Sequence, residues 1–395
     1  EIYTLSLHDA LPILCCAVLM VSLSACEYED DFPAGVGEGN IEAIVLNEGR
    51  IGTNMGAISV LYRNGMVSPD VFRVVNNRPL GDVAQSITMI NGKYFIALNN
   101  SKKIEIVNST TFESEGTILY TQAGLPRQIV AISDTTAIVS DLLSNNVSGV
   151  DLPSQLVRIR TVPPYGTPLE YIVIRKWVEY MEVADHKLFG ITAKGVYVFD
   201  LENITLEGSR MIEEVYNEEV TKTCKLLKDK NGKIWALMNE RDKGKLTAIL
   251  LKCIDPQTEK VVTTYRLPFV SKNEAKEGDV TGTISYNRTD MDATKTLIYF
   301  SVRTCKPGLP NDSQQSIYTL NTDDGTFKLH RHVPGVDMMY GCGVSPQGEV
   351  YICDCLDYSA QRGYIRHYKE SGNVESYRVG IYPNQVYFPE SSEVQ

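Results

Sequence analysis

Ile87-Thr88-Met89-Ile90, Asn91-Gly92, Lys93-Tyr94-Phe95-Ile96-Ala97-Leu98 and then Ile104-Glu105-Ile106-Val107-Asn108 form the stretch that decides the fold. It reads as an apolar strand, a tight polar turn, a strongly apolar strand, a loop, and a third strand closed by Asn. Asn-Gly supplies the positive φ angles that a two-residue hairpin turn requires. The same unit returns with Asn231-Gly232, Ile234 to Leu237 and Ile249 to Asp255. Second strands of this kind begin near Ala43, Tyr94, Ala137, Lys187, Lys233, Leu297 and Glu349. The spacing is roughly 40 to 65 residues, close to that of propeller blades. Third strands are expected at Ile58 to Tyr62, Val147 to Asp151, Val196 to Asp200, Ile317 to Asn321 and Ile365 to Tyr368. Long amphipathic helix patterns are absent, so the chain reads as all-β, a seven-bladed β-propeller over residues 42–390. The first copy lacks its own innermost strand, because Ala43 to Leu46 follows directly on an acidic stretch. Asn384 to Phe388, left over after the seventh copy, is expected to supply it, so that the C-terminal strand closes the first blade and removes exposed sheet edges.

In front of the repeats, Leu11 to Leu23 is apolar apart from Pro12 and Ser22, too short to span a bilayer but right for the core of a signal peptide. Leu23-Ser24-Ala25-Cys26 then looks like a bacterial lipobox, with Cys26 as the lipidated residue; an ordinary signal peptide with an incidental Cys is the bland alternative. This gives a signal peptide over 1–25, a lipidated acidic tether over 26–41 that includes Glu27, Glu29, Asp30 and Asp31, and a short tail over 391–395. Glu1 to Ala10 has no Lys, Arg or initiator Met where a basic leader is expected, so these residues are read as foreign to the native start. The localisation expected is the outer membrane, at the cell surface, held by lipid alone.

The 395 residues carry 38 Lys and Arg against 49 Asp and Glu, a formal charge of -11. An acidic surface disfavours nucleic acid, whose binding rests on neutralising phosphates. Of the cysteines, Cys353 and Cys355 flank Asp354 and read as buried small side chains rather than as a metal or redox pair. His186, His330, His332 and His367 fall in separate or outer strands, with His330 and His332 on one face of an outer strand. No G-x-S-x-G elbow, H-E-x-x-H or P-loop is present. The chain therefore reads as a binder rather than an enzyme, with no catalytic or resident metal residues; a cation-dependent, lactonase-like hydrolase stays as the alternative, since its ligands are scattered by nature.

Loop lengths separate the two faces of the disc. Turns from first to second strands are tight, at Asn91-Gly92, Asn231-Gly232 and Ser345 to Gly348, and leave no room for a site. Loops between second and third strands and between blades are longer: Gly49 to Gly56, Met238 to Lys243, Thr304 to Ser316, Asp357 to Gly363, Asn76 to Asp82 and Val270 to Asp279. Ligand sites concentrate on loops held by a rigid scaffold, so the binding site is expected on that face. Its candidate residues are Asn47, Arg50 and Asn54, then Arg78, Asp82 and Gln85, then Arg127 and Gln128, with Trp177, Tyr180, Tyr340 and Tyr358 adding flat apolar contact with a polar tip.

Val45-Leu46-Asn47-Glu48-Gly49, Gly56-Ala57-Ile58-Ser59, Asn77-Arg78-Pro79-Leu80-Gly81-Asp82-Val83-Ala84-Gln85-Ser86 and Asn99-Asn100-Ser101 with Ile104-Glu105-Ile106-Val107 together resemble the YncE-like propeller lipoproteins of Bacteroidetes. The resemblance covers about residues 40 to 390 and is strongest in the first two blades. Such a relationship implies a surface lipoprotein that captures a corrinoid, cobalamin-like, or similar nutrient and hands it to a TonB-dependent outer-membrane transporter, with the corrinoid as ligand rather than covalent cofactor. A surface scaffold recognising protein or glycan is the other binding reading.

Overall fold

A computed structural model describes residues 40–121, 124–142, 154–192, 194–215, 225–283, 288–306 and 308–389. The proposed signal segment, Cys26, the tether as far as residue 39 and the tail lie outside the described residues. Among the described residues no helix is long and apolar enough to cross a membrane.

Seven antiparallel sheets follow one another around a ring. Blade 2 is the simplest, with Ala84–Ile90, Lys93–Leu98, Lys103–Asn108 and Ser114–Leu119 running from the axis outward. Asn91 and Gly92 sit at φ 50° and 72°, as the expected tight turn demands. The second strands of the other blades, Ile41–Asn47, Thr136–Leu142, Lys187–Thr192, Ile234–Asp242, Leu297–Lys306 and Val350–Asp354, start within two residues of their expected places. Blade 1 is closed by the C-terminal strand Pro383–Tyr387, which pairs with Ile41–Asn47 through Ile44 to Tyr387 and Val45 to Val386. Between blades 1 and 2 a short helix, Val71–Asn76, is capped by the Asp70 side chain, which accepts from the Arg73 N–H at 3.1 Å.

The repeat works because the blades are buried on both faces, so that each strand alternates between two cores. Tyr94, Ile96 and Leu98 pack toward blade 1 with Ile44, Leu46, Ile58 and Val60, while Phe95 and Ala97 pack toward blade 3 with Ile129, Ala137 and Val139. The same division recurs at every seam. Ile138 and Leu156 meet Leu188 and Phe199, Phe189 meets Ile234, Trp235 meets Phe300, Tyr299 meets Ile352, and the ring closes where Tyr351 and Ile365 meet Ala43 and Val45. Gly341 and Gly343 let the innermost strand of blade 7, Met339–Val344, press on the closing strand. A Cβ at Gly341 would lie 2.2 Å from the Asn384 carbonyl oxygen, and one at Gly343 would lie 2.9 Å from Val386 Cβ.

Three local expectations are corrected. The third strand of blade 3 is Ser154–Arg160, whose Leu156, Val157 and Ile159 pair with Ser140, Val139 and Ala137; the expected Val147 to Asp151 lies outside the described residues. Met238 to Lys243 is mostly strand, because Ile234–Asp242 and Lys245–Asp255 continue their ladder to a turn at Lys243-Gly244. Thr304 to Ser316 is likewise mostly ladder, between Leu297–Lys306 and Leu309–Asn321. Blade 6 differs further in its inner edge, where Thr289–Met291 and Val280–Gly282 both pair with Leu297–Lys306, at different heights.

Candidate functional site

Residues just before or in the leading part of the innermost strands, together with Glu48 just past the end of the second strand of blade 1, converge on the axis at the face carrying the interblade connections. They enclose a cavity of about 230 Å³ to which every blade contributes. Blade 1 gives Glu48, Asn384 and Gln385; blade 2, Gln85; blade 3, Arg127 and Gln128; blade 4, Glu179 and Tyr180; blade 5, Lys225; blade 6, Arg288 and Thr289; blade 7, Tyr340 and Cys342. A propeller makes such a site by construction: one position of the repeat, copied around a ring, becomes a ring of side chains.

Several of these groups hold one another. Arg127 forms an ion pair with Glu179 and lies 5.4 Å from the Trp177 ring centroid. Lys225 Nζ is 3.6 Å from Asp290, and the Tyr340 hydroxyl donates to Glu48 Oε2 at 2.8 Å. Burial raises the Glu48 carboxyl above its usual range, against the opposing effects of Tyr340 and Arg127. Burial and the neighbouring Glu48 raise the Tyr340 phenol too. Asn384 Nδ2 donates to the Ala84 carbonyl at 3.0 Å, and Gln385 exchanges hydrogen bonds with the backbone of Ile87. Arg288 is different. It is 9% exposed and its guanidinium sits 5.9 Å over the Tyr340 ring with no ion pair among the described residues; its Nε, like that of Arg127, has no partner. Burial lowers its basicity, and the groups that act on it most strongly are thiols and phenols rather than carboxylates.

Of the residues expected from sequence, Gln85, Arg127, Gln128, Tyr180 and Tyr340 line the cavity. Trp177, 42% exposed, flanks it on Arg127. Tyr358, 75% exposed, connects to it through Tyr382, whose ring lies 6.5 Å from Tyr358 and 6.2 Å from Tyr340. The others are placed elsewhere. Asn47 is fully buried and braces blade 1 by donating to the carbonyls of Val45 and Ala57 and to Ser59 Oγ. Asp82 is buried and accepts from Gly52 N and Asn100 Nδ2. Arg78 is the counter-ion of the fully buried Glu105 at 2.6 Å; burial works against that carboxylate, but Arg78 and Lys103 prevail and hold it below the usual range. Arg50 and Asn54 belong to the exposed turn after Gly49, where the Arg50 carbonyl accepts from Thr53 N and Asn54 adopts φ 55°.

Glu48, Glu179, Lys225, Arg288, Thr289, Cys342, Asn384 and Gln385 escaped the sequence reading as site residues. Superposing the repeats on the start of each innermost strand, rather than on the long loops, would have found most of them.

The tight-turn face, expected to have no room, holds an open depression of about 630 Å³ between blades 3, 4 and 5, lined by Ile132, His186, Lys228, Lys233 and Asp255 among others. Its cations are committed internally: Lys233 pairs with Asp255 at 2.7 Å and Lys228 donates to the Val183 carbonyl at 2.8 Å. Elsewhere, His332 Nδ1 lies 2.9 Å from Ser316 Oγ and His330 packs edge-on against Tyr299. Among the described residues no group of three or more His, Cys, Asp or Glu is arranged to hold a metal ion.

Residues 43–391 match the family described as Domain of unknown function (DUF5074), and the chain belongs to that family. No curated protein matches it. Among solved structures it is similar to a provisionally named 6-phosphogluconolactonase from Bacteroides uniformis, at 12% identity and TM-score 0.58 over 89% of this chain and all of that one. A protein from Lactobacillus plantarum aligns at 14% identity and TM-score 0.55, with coverage of 89% and 100%. An oligogalacturonate lyase in complex with manganese aligns at 11% and 0.52, with coverage of 84% and 91%. At such identities the likeness is one of fold.

Proposed function

We propose that this DUF5074 propeller is an exported, Cys26-lipidated binding protein that captures a polar-decorated organic nutrient over the mouth of its axial cavity, a corrinoid first among candidates, and passes it to a TonB-dependent transporter. The observation that carries the reading is the convergence of polar side chains from all seven blades on one cavity, on the long-loop face, flanked by the exposed aromatics Trp177 and Tyr358. About 230 Å³ cannot enclose a macrocycle, since pockets that bury whole drug-sized ligands are about 300–1,000 Å³. It can take one polar arm while the ring lies across the mouth. Gln85, Gln128, Asn384 and Gln385 offer amide edges for peripheral amides, and preorganised strands keep the entropy cost of binding low. The lactonase name of one fold relative raises cation-dependent hydrolysis as an alternative. Against it, Arg288 lines the cavity with no counter-charge among the described residues, and its charge would repel a divalent ion.

Calorimetry of the purified protein against cobalamin, cobinamide and haem tests the reading. Binding of a corrinoid supports it, and no heat with any of the three moves a protein- or glycan-recognising scaffold to first place. Replacing Cys26 by Ala should abolish incorporation of labelled palmitate; incorporation in the variant contradicts the lipid anchor.

A further inference from the structure

We infer that the axial cavity is a carboxylate seat built around Arg288, and that the ligand group it selects is a small hydroxy-carboxylate of sugar-acid size, free or as the arm of a larger molecule. The inference rests on the cavity being the binding site, and it adds the chemistry the cavity selects.

The cavity holds three cationic side chains, and two have counter-charges: Arg127 has Glu179 and Lys225 faces Asp290. Arg288 has none among the described residues, although it is the most deeply buried of the three. A guanidinium stays protonated in proteins, so what lies there is a desolvated positive charge with an unused Nε–H. Taking a charge out of water without a partner is costly, and a fold keeps such a group most readily where a ligand supplies the missing charge. Glu48 does not fill that role. Its proton affinity is raised by burial and its carboxylate already accepts from Tyr340. The planar fork of Arg288 suits the two oxygens of a carboxylate.

Besides Arg288 Nε, the lining has two further buried atoms without a partner, Arg127 Nε and Asn384 Oδ1, and the acceptor among them fixes the rest of the ligand. Asn384 Oδ1 is buried with no donor, while Nδ2 of the same amide donates to the Ala84 carbonyl and its side chain acts on the Glu48 carboxylate. An acceptor without a donor and a cation without an anion, in one cavity, call for a molecule carrying both a hydroxyl and a carboxylate. At about 30 Å³ per water-sized volume, the cavity of about 230 Å³ holds on the order of eight such groups, enough for the carboxylate end of a sugar acid with its neighbouring hydroxyls.

The test titrates the purified protein with D-glucuronate, its neutral counterpart D-glucuronamide, and inorganic phosphate, with cobinamide run in parallel. Glucuronate should bind about tenfold or more tightly than glucuronamide and than phosphate, and its affinity should fall as salt rises. Arg288→Gln should lose about tenfold or more for glucuronate, and Arg288→Lys should retain part of it. If the glutamine variant does not fold, the acid-to-amide ratio on the unaltered protein decides alone. Equal binding of acid and amide, equal binding of phosphate, or unchanged affinity in Arg288→Gln would each overturn the proposal. Should cobinamide bind while no acid does, the carboxylate seat falls and nutrient capture stands; if nothing binds, both fall.

Discussion

Blades 2 and 6 are built from the same four-stranded unit and use it differently. In blade 2 the inner hairpin is regular, its turn is Asn91-Gly92, and its charges are settled internally, with Glu105 held by Arg78 and Lys103. In blade 6 the inner edge is split between Val280–Gly282 and Thr289–Met291, the next hairpin runs long, and Arg288 enters the axis without a counter-ion. Where the repeat is regular, polar residues serve the fold. Where it breaks, one polar residue is left for something outside the fold.

The sharpest way to break the comparison is to remove what both blades depend on, the closed ring. Deleting the chain from Asn384 onward takes away most of the closing strand, opens the edge of Ile41–Asn47 and uncovers the seam that contains Val45 and Val386. The whole domain should lose its cooperative transition; a melting temperature equal to that of the full chain would contradict closure by this strand.

Next in size are single substitutions that should act oppositely in the two blades. Ile96→Ala, in the fully buried core of blade 2, should cost about 2–5 kcal/mol in denaturant unfolding. Arg288→Leu should be near neutral or stabilising, because it removes a buried charge that the folded protein does not neutralise. A loss for Arg288→Leu as large as that for Ile96→Ala would make Arg288 a structural residue.

Asp141 in blade 3 provides an intermediate case. Burial pushes its carboxyl up to about 7, against hydrogen bonds from Gln155 and the Leu125 N–H. Its folded value lies above its unfolded one, so the stability it contributes is complete below about pH 4 and is lost as pH rises toward 7. The slope approaches 1.4 kcal/mol per pH unit in that window. Asp141→Asn should flatten this part of the profile; an unchanged slope in urea melts between pH 4 and 7 would show that other groups set it.

The smallest effect belongs to the cavity rim. Trp177→Ala should weaken binding of the captured ligand by about 2 kcal/mol, while Asn91→Ala, on the other face, should leave binding unchanged. Equal losses in the two variants would remove the distinction between the faces.

The blades were legible in the sequence because a strand buried on both sides is a continuous apolar run, as in Tyr94 to Leu98 and Tyr351 to Cys353. The long hairpins of blades 5 and 6 were not. Asn239 to Asp242 and Ser313 to Gln315 are polar like loop residues, and the backbone ladder that keeps them in strands leaves no mark on side-chain type. At the site, polarity in a loop was an ambiguous signal: Gln85, Arg127 and Gln128 reach the axis, whereas Asn47, Arg78 and Asp82 look the same in sequence and brace the scaffold. Repeat position separates the two groups, since the axial residues cluster at the starts of innermost strands.

The most direct test of the account is hydrogen–deuterium exchange of the protein with and without a bound ligand, cobinamide or glucuronate. Ligand on the axial cavity should slow exchange in the segments around Gln85, Arg127-Gln128, Trp177 to Tyr180 and Tyr340, with no change at Asn91-Gly92, Asn231-Gly232 or Ser345 to Gly348. Protection confined to the opposite face, at Asp185-His186 and Asp255 to Gln257, would contradict it.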